Sequence, residues 1–391
     1  MKTFQCNCKD KLILFFESSH CLSCGRAVGI DDNFDQVEPY EFDESTGFYY
    51  KKAYPKVHYQ KCDNNAKYQV CNGMVNINTH ALVEEDDDDA EVLCFACRFN
   101  VTVPNLNIKE HIPLWRKMET AKRRALYTLK VLPVPLRNTT QDADNGLSFD
   151  FITDRDVNDH FTSQLPYHET VFTGHDCGHI TINLAEADDV ARSQTQLAMG
   201  ENYRTLLGHF RHELGHYYFD QLITPSPSKH ELCKQYFGDD ALDYQAALKH
   251  HYENGAPANW EQTFISSYAT MHPFEDWAET WAHYMHIIDT LETAKNFEFN
   301  AAISDAEKDE NDTEKLCLPQ GRQYFSSQTS ITEILEEWMK LSVILNSLNR
   351  SMGLPDAYPF VLTDAVRKKL GFIHHAIHNH LDSLADLEDN S

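Results

Sequence analysis

The chain is poor in positive charge. Its 391 residues carry 34 Lys+Arg against 60 Asp+Glu, a formal net charge of -26. Phosphate backbones and anionic lipid are bound through surplus Lys and Arg, so neither nucleic acid nor a membrane is an expected partner. Long apolar runs are also missing. Nothing approaches the roughly 18 consecutive apolar residues of a bilayer span. The apolar run 12–16 is too short for a signal-peptide core, and two cysteines precede it. The expected location is cytoplasmic. No internal repeat is present. Apolar residues make up 42% and charged residues 24%, a globular rather than a disordered composition.

Cysteine is unevenly distributed. Cys6, Cys8, Cys21, Cys24, Cys62, Cys71, Cys94 and Cys97 lie in the first hundred residues, while Cys177, Cys233 and Cys317 are scattered and read as structural thiols. The total of 11 is odd, so a complete disulfide framework would leave one thiol over. Two of the pairs are C-x-x-C, which favours metal in a chain without a signal peptide. Cys6, Cys8, Cys21 and Cys24 form one set of four thiolates. Cys62, Cys71, Cys94 and Cys97 form another. Each set suits a tetrahedral structural zinc with no open position for water. Segments this small cannot build enough core alone, and metal substitutes for it.

The expected organisation is a first zinc ribbon at 1–30, a second zinc-ribbon segment at 31–101 with an acidic loop at 84–89, and a main domain at 102–391. The main domain reads as mostly helical, giving an α+β chain. Helical patterns cover 115–131, 203–223, 274–294 and 331–350, and resume after Thr363. An alternating run at 179–184 reads as a strand, and 304–316 as a polar loop.

The chemistry centres on His212-Glu213-Leu214-Gly215-His216. Leu207, Phe210 and Leu214 mark a buried stripe at helical spacing, which leaves His212 and His216 together on the other side. Two histidines at i and i+4 can share one zinc, with the adjacent Glu213 as general base on the metal-bound water. His209 shares that face as a neighbour. The compact extension of this motif would need Gly at 219 and His at 222. Phe219 and Leu222 stand there, so the third ligand must come from elsewhere. The best source is 272–287. Pro273, Glu275 and Asp276 suit the first turn of a helix. Trp277, Trp281, Tyr284, Ile288 and Leu291 form its apolar stripe. Glu275 and Glu279 lie on the other face, one to bind zinc and the other to orient a ligand histidine. Asp276, His283 and His286 are weaker ligand candidates.

An HExxH motif with a late glutamate resembles the gluzincin zinc peptidases. The run from Tyr268 through Glu275 to Glu279 resembles the corresponding segment of the anthrax lethal factor protease. That resemblance implies that Tyr268 stabilises the oxyanion, Glu275 binds zinc and Glu279 orients a ligand histidine. Over nearly its full length the chain is similar to the bacterial zinc-binding metallopeptidases that carry an N-terminal zinc ribbon. The resembling stretches include CFACRFNVTVPNLN from Cys94, TGHDCGHITINLAEADD from Thr173 and YRTLLGHFRHELGHYYFD from Tyr203. Cys6-x-Cys8 departs from the usual C-x-x-C. The implied fold is a zincin-like peptidase domain behind cysteine-rich modules.

The expected function is a zinc metalloendopeptidase of gluzincin type, with one catalytic and two structural Zn2+ and a peptide or protein substrate. Hydrolysis of a non-peptide amide is a second enzymatic possibility. The non-enzymatic alternative is a zinc-ribbon interaction module, recruiting a protein partner, on an inert zincin scaffold. Among weaker signals, 179–184 is an expected substrate-pairing edge strand or an ordinary internal one. Asp188 and Asp189 are expected to cap or hold the next segment, and Arg350 to form a salt bridge or bind a substrate carboxylate. His374, His375, His378 and His380 are expected on a solvated helix face.

Overall fold

The computed structural model describes residues 2–80, 91–153, 173–193, 205–303, 314–318 and 323–381. The expected acidic loop at 84–89 and most of the polar stretch 304–316 lie outside the described residues. The architecture is α+β, and the chain divides into two compact units.

One unit comprises residues 3–130 and 136–210. It opens with the small hairpin β1 (Phe4–Gln5) and β2 (Ile13–Leu14). An antiparallel meander follows, made of β3 (Ala27–Ile30), β4 (Val37–Asp43), β5 (Phe48–Lys51), β6 (Tyr54–Lys61) and β7 (Met74–Asn76). Two short helices, α1 (Asp63–Tyr68) and α2 (Ile77–His80), flank β7 in sequence. A second, mixed sheet contains β8 (Asn100–Thr102), β9 (Ser148–Ile152), β10 (Gly174–Asp176) and β11 (His179–Asn183) in the order β10-β11-β9-β8. β11 is hydrogen-bonded on both sides, antiparallel to β10 and parallel to β9. The alternating run is therefore an internal strand and not an edge.

The long helix of this unit, α3 (His111–Val131), carries Pro113 in its first turn, where proline removes no intrahelical bond. Of its consecutive basic residues Lys122, Arg123 and Arg124, the first two do not face solvent and the third is half-exposed. Lys122 and Glu119 are both fully buried and 2.9 Å apart, and the Lys122 ammonium lies over the rings of Phe149 and Phe151. Arg123 is also buried and donates to Asn72. Breaking such a buried pair typically costs about 3–5 kcal/mol, because it strands a charge.

The other unit comprises residues 131–135 and 211–391 together with the first two. It contains the motif helix α4 (Leu206–Leu222) from Arg211 onward, then α5 (Pro227–Phe237), α6 (Tyr244–Asn254) and α7 (Pro273–Asn296). The hairpin β12 (Asn300–Ile303) and β13 (Glu314–Cys317) follows, then α8 (Ile331–Ser351) and α9 (Asp364–Ile377). α7 is the hub. Trp277, Trp281, Tyr284, Ile288 and Leu291 are fully buried. Trp281 stacks on Tyr218 of α4 with centroids 4.8 Å apart, and Trp277 packs edge-on against Phe219 and Phe372. Each such aromatic pair contributes about 0.5–1.5 kcal/mol beyond its burial. His272 caps α7 by accepting the Phe274 N–H, and Pro273 fills the first helical position. Among the described residues no helix is long and apolar enough to cross a membrane.

Candidate metal centres

The thiols of Cys6, Cys8, Cys21 and Cys24 converge, with Sγ atoms 3.8 Å apart for Cys6–Cys24 and 4.0 Å for Cys8–Cys21. Four sulfurs about 2.3 Å from a tetrahedral zinc are roughly 3.8 Å from one another. All four cysteines are free. The Cys6-x-Cys8 spacing does not prevent convergence. Arg26 donates to Cys24 Sγ at 3.3 Å and Cys6 Sγ at 3.5 Å. Cys62, Cys71, Cys94 and Cys97 form a second, fully buried cluster. Gly73 is required beside it, since a Cβ there would lie 2.5 Å from the Cys94 sulfur.

The third cluster arises where α4 meets the N-terminal turns of α7. His212 Nε2 and His216 Nε2 are 3.2 Å apart. Glu275 Oε2 lies 2.9 Å from the first and 3.5 Å from the second. Three ligand atoms held about 2.0–2.1 Å from a tetrahedral zinc are about 3.3 Å from one another, so the triangle has the size a zinc ion requires. Glu275 is 2% exposed, and its Oε2 has no well-directed hydrogen bond in the protein, as a metal-facing oxygen should.

The helix carrying both histidines is not amphipathic in the ordinary sense. Of the expected stripe, Phe210 and Leu214 are buried and Leu207 only half-buried, but His212, Glu213 and His216 are buried too, because the polar face meets the carboxylates of α7 rather than water. Close approach of the helices depends on Gly215, where a Cβ would come within 2.9 Å of Ala278 Cα. Trp277 Nε1 donates to the Gly215 carbonyl at 2.8 Å across the same contact.

Electrostatics favour a cation at this point. Burial alone would lower the His212 pKa, yet Glu275 and Glu279 raise it well above the usual imidazole value. Burial pushes Glu275 up, but His216 and His212 outweigh it and hold the carboxyl well below its usual range. For Glu279, too, burial is outweighed, by His212 foremost, and its pKa falls to about 2. Glu279 Oε1 meets His212 Nδ1 at 2.7 Å, while Ser266 donates to Glu279 Oε2 at 2.5 Å. The two carboxylates thus take opposite edges of one imidazole: Glu275 the Nε2 edge and Glu279 the Nδ1 edge.

Tyr268 lies in a single 3₁₀ turn just before α7, its ring 5.9 Å from the His212 ring. The turn and the helix start bring Tyr268 and Glu275 to one locus. The sequence reading did not single out Tyr244. This first residue of α6 donates its hydroxyl to Glu275 Oε1 at 2.7 Å. Burial, reinforced by the Glu275 charge, raises its phenol pKa, so it stays protonated and donates. The local cues for α6 are Asp243, whose side chain accepts the Ala246 N–H, and Gly255 at φ 72 beyond the helix end.

The remaining candidates are engaged elsewhere. Asp276 pairs with Lys369 at 2.6 Å in the core, His283 with the Tyr358 hydroxyl at 2.8 Å, and His286 with Arg211 at 2.7 Å. His209 pairs with Glu186. Asp188 accepts the N–H groups of Val190 and Ala191 as a cap, and Asp189 pairs with Lys117 and Arg192. Arg350 forms a two-pronged salt bridge with Asp356 at 2.6 Å. The expected solvated face of α9 needs correction: His374 is 4% exposed and hydrogen-bonded to Tyr284 at 2.8 Å, because α9 packs on α7 there.

Comparison with known proteins bears on the same regions. Residues 111–376 match the family described as "Putative zinc-binding metallo-peptidase", and residues 3–108 match a zinc-ribbon domain. Two proteins named as uncharacterized, one from Mycobacterium tuberculosis (strain ATCC 25618 / H37Rv) and one from Mycobacterium bovis, are each 37% identical over 375 residues, covering 96% of this chain and 94% of the relative. No solved structure matches significantly. The third cluster falls inside the peptidase match and both thiol clusters inside the ribbon match, and with kinship spread over nearly the whole length the chain belongs to this zinc-binding metallopeptidase family.

Proposed function

We propose that the protein is a zinc metalloendopeptidase of gluzincin type, with His212, His216 and Glu275 holding the catalytic metal and the two cysteine clusters each holding a structural zinc. The observation that carries this reading is the triangle of His212 Nε2, His216 Nε2 and Glu275 Oε2, with edges of 3.2, 2.9 and 3.5 Å, beside Glu213 on the same helix. Zinc bound there would act as a Lewis acid, lowering the pKa of a water towards about 7 and polarising the scissile carbonyl.

The protein's own groups do the rest. Glu213 takes a proton from the attacking water as the new C–O bond forms. It delivers that proton to the amine nitrogen as the C–N bond breaks, so the proton balance closes within one carboxylate. Tyr268 donates its hydroxyl to the oxygen that gains charge. Glu279, held by Ser266, keeps His212 in the tautomer with Nδ1–H and leaves Nε2 as the electron-pair donor. The substrate class is a peptide or unfolded protein.

The test is hydrolysis of an unstructured protein substrate by the full chain, with and without a metal chelator, beside Glu213→Gln. The wild type should cleave, the chelator should abolish cleavage, and Glu213→Gln should retain zinc while losing about 100- to 10,000-fold in rate. Cleavage that survives both treatments would exclude the site. A zinc-loaded wild type inert towards every peptide would favour the interaction-module alternative.

A further inference from the structure

Glu275 offers two oxygens, and the structure gives them different surroundings. Oε2 faces the two imidazoles, at 2.9 and 3.5 Å. Oε1 accepts the Tyr244 hydroxyl at 2.7 Å. A carboxylate free to rotate can bind a metal through either oxygen or both. One whose second oxygen is held by a phenol is turned towards binding through the first. The Tyr268 ring is near the same site, 5.9 Å from the ring of His212 and 6.0 Å from that of His251, centroid to centroid. One hydroxyl from α6 touches the proposed third ligand directly. α6 contributes no buried residue to the core, so its contact with the site is not a by-product of core packing.

We propose that Tyr244 is a positioning residue of the metal centre: it fixes Glu275 as a ligand through Oε2 alone. This rests on Glu275 being a zinc ligand. A bidentate carboxylate would fill the position that an attacking water needs, whereas a one-oxygen ligand leaves that position open. The role is carried by a single oxygen atom, so Tyr244→Phe removes it with little change in shape.

The experiment is a double-mutant cycle on zinc affinity in the full chain, using Tyr244→Phe, Glu275→Ala and the double variant, read by competition with a chelator. The thiolate zincs serve as an internal measure of folding, since a chain that fails to fold loses them too. Tyr244→Phe should weaken the zinc at His212 and His216 by about 10- to 100-fold, in line with the loss of an outer hydrogen bond to a ligand. In the Glu275→Ala background it should have no further effect, because Tyr244 acts through that carboxylate. A crystal structure of zinc-loaded Tyr244→Phe should show the Glu275 carboxylate rotated, with Oε1 at or near the metal.

An equal loss in both backgrounds would overturn the proposal, and so would unchanged affinity of Tyr244→Phe where Glu275→Ala loses zinc. If Glu275→Ala itself keeps wild-type affinity, the ligand assignment fails instead, which is a different outcome.

Discussion

Replacing Gly215 by alanine tests whether the approach of two helices sets the metal site. Gly215 lies inside the motif, on the side of α4 turned towards α7. An alanine Cβ would fall 2.9 Å from Ala278 Cα, 3.2 Å from the Ala278 carbonyl oxygen and 3.2 Å from Trp281 Cβ. Carbon atoms sit comfortably at about 3.5–4.0 Å, so α7 must retreat by about 0.6 Å or more. Two of the three obstructing atoms are backbone, and no rotamer change relieves them. Overpacking of this kind costs about 1–3 kcal/mol. Alanine in a helix interior returns about 1 kcal/mol relative to glycine. The net loss is therefore about 0–2 kcal/mol, which a folded domain of this size tolerates.

The site is less tolerant. Metal–ligand distances hold to about 0.2 Å, and Glu275 lies one turn before Ala278 on the displaced helix. Zinc at His212, His216 and Glu275 should weaken by on the order of 10-fold or more, while the thiolate sites keep theirs. Chelator competition, run beside urea unfolding followed by tryptophan fluorescence, separates the two effects. Gly215→Ala with wild-type affinity at every site would refute the reasoning, and so would a uniform loss of zinc across all sites in proportion to stability.

Other outcomes follow from the same geometry. Metal analysis of purified protein should give about three zinc per chain; a value near one, with the N-terminal thiols paired as disulfides, would remove the structural sites. Glu275→Ala should weaken zinc at the third site severely but measurably, whereas Glu279→Ala should cost about 10- to 100-fold; anomalous diffraction showing zinc bonded to Glu279 would reverse the roles. Burial, with His378 and His375 beside it, lowers His374 to about 3, against about 6.5 in an unfolded chain. Its folded pKa is the lower one, so its contribution to stability is complete above pH 6.5 and is lost as pH falls. At pH 5 that loss is about 2 kcal/mol. Urea midpoints at pH 7.5 and 5 should shift less in His374→Gln than in the wild type, and equal shifts would show that His374 does not titrate there.

The sequence by itself determined what is local. The i, i+4 histidines with their glutamate, the grouping of eight cysteines into two sets and the Pro273 helix start all depend on neighbours within a turn or two. The order of elements depends on apolar periodicity, which is equally local. The α+β class followed from that order. Tertiary structure decided the rest. Periodicity cannot say that the polar face of α4 is buried, because it reports only that one face is apolar. The burial of His374 escaped for the same reason: a polar residue reads as solvated until its partner is placed opposite it. β11 read equally well as edge or interior, since pairing depends on β9, about thirty residues distant in sequence. Spacing along α7 could not choose between Glu275 and Glu279, which share a face. The tertiary structure separates them by the edge of the His212 ring that each one meets, Glu275 at 2.9 Å on Nε2 and Glu279 at 2.7 Å on Nδ1. Tyr244 carries no motif at all, because its meaning is one hydrogen bond to a carboxylate 31 residues further on. Such contacts exist only once the chain has packed, and no window of sequence contains both ends of them.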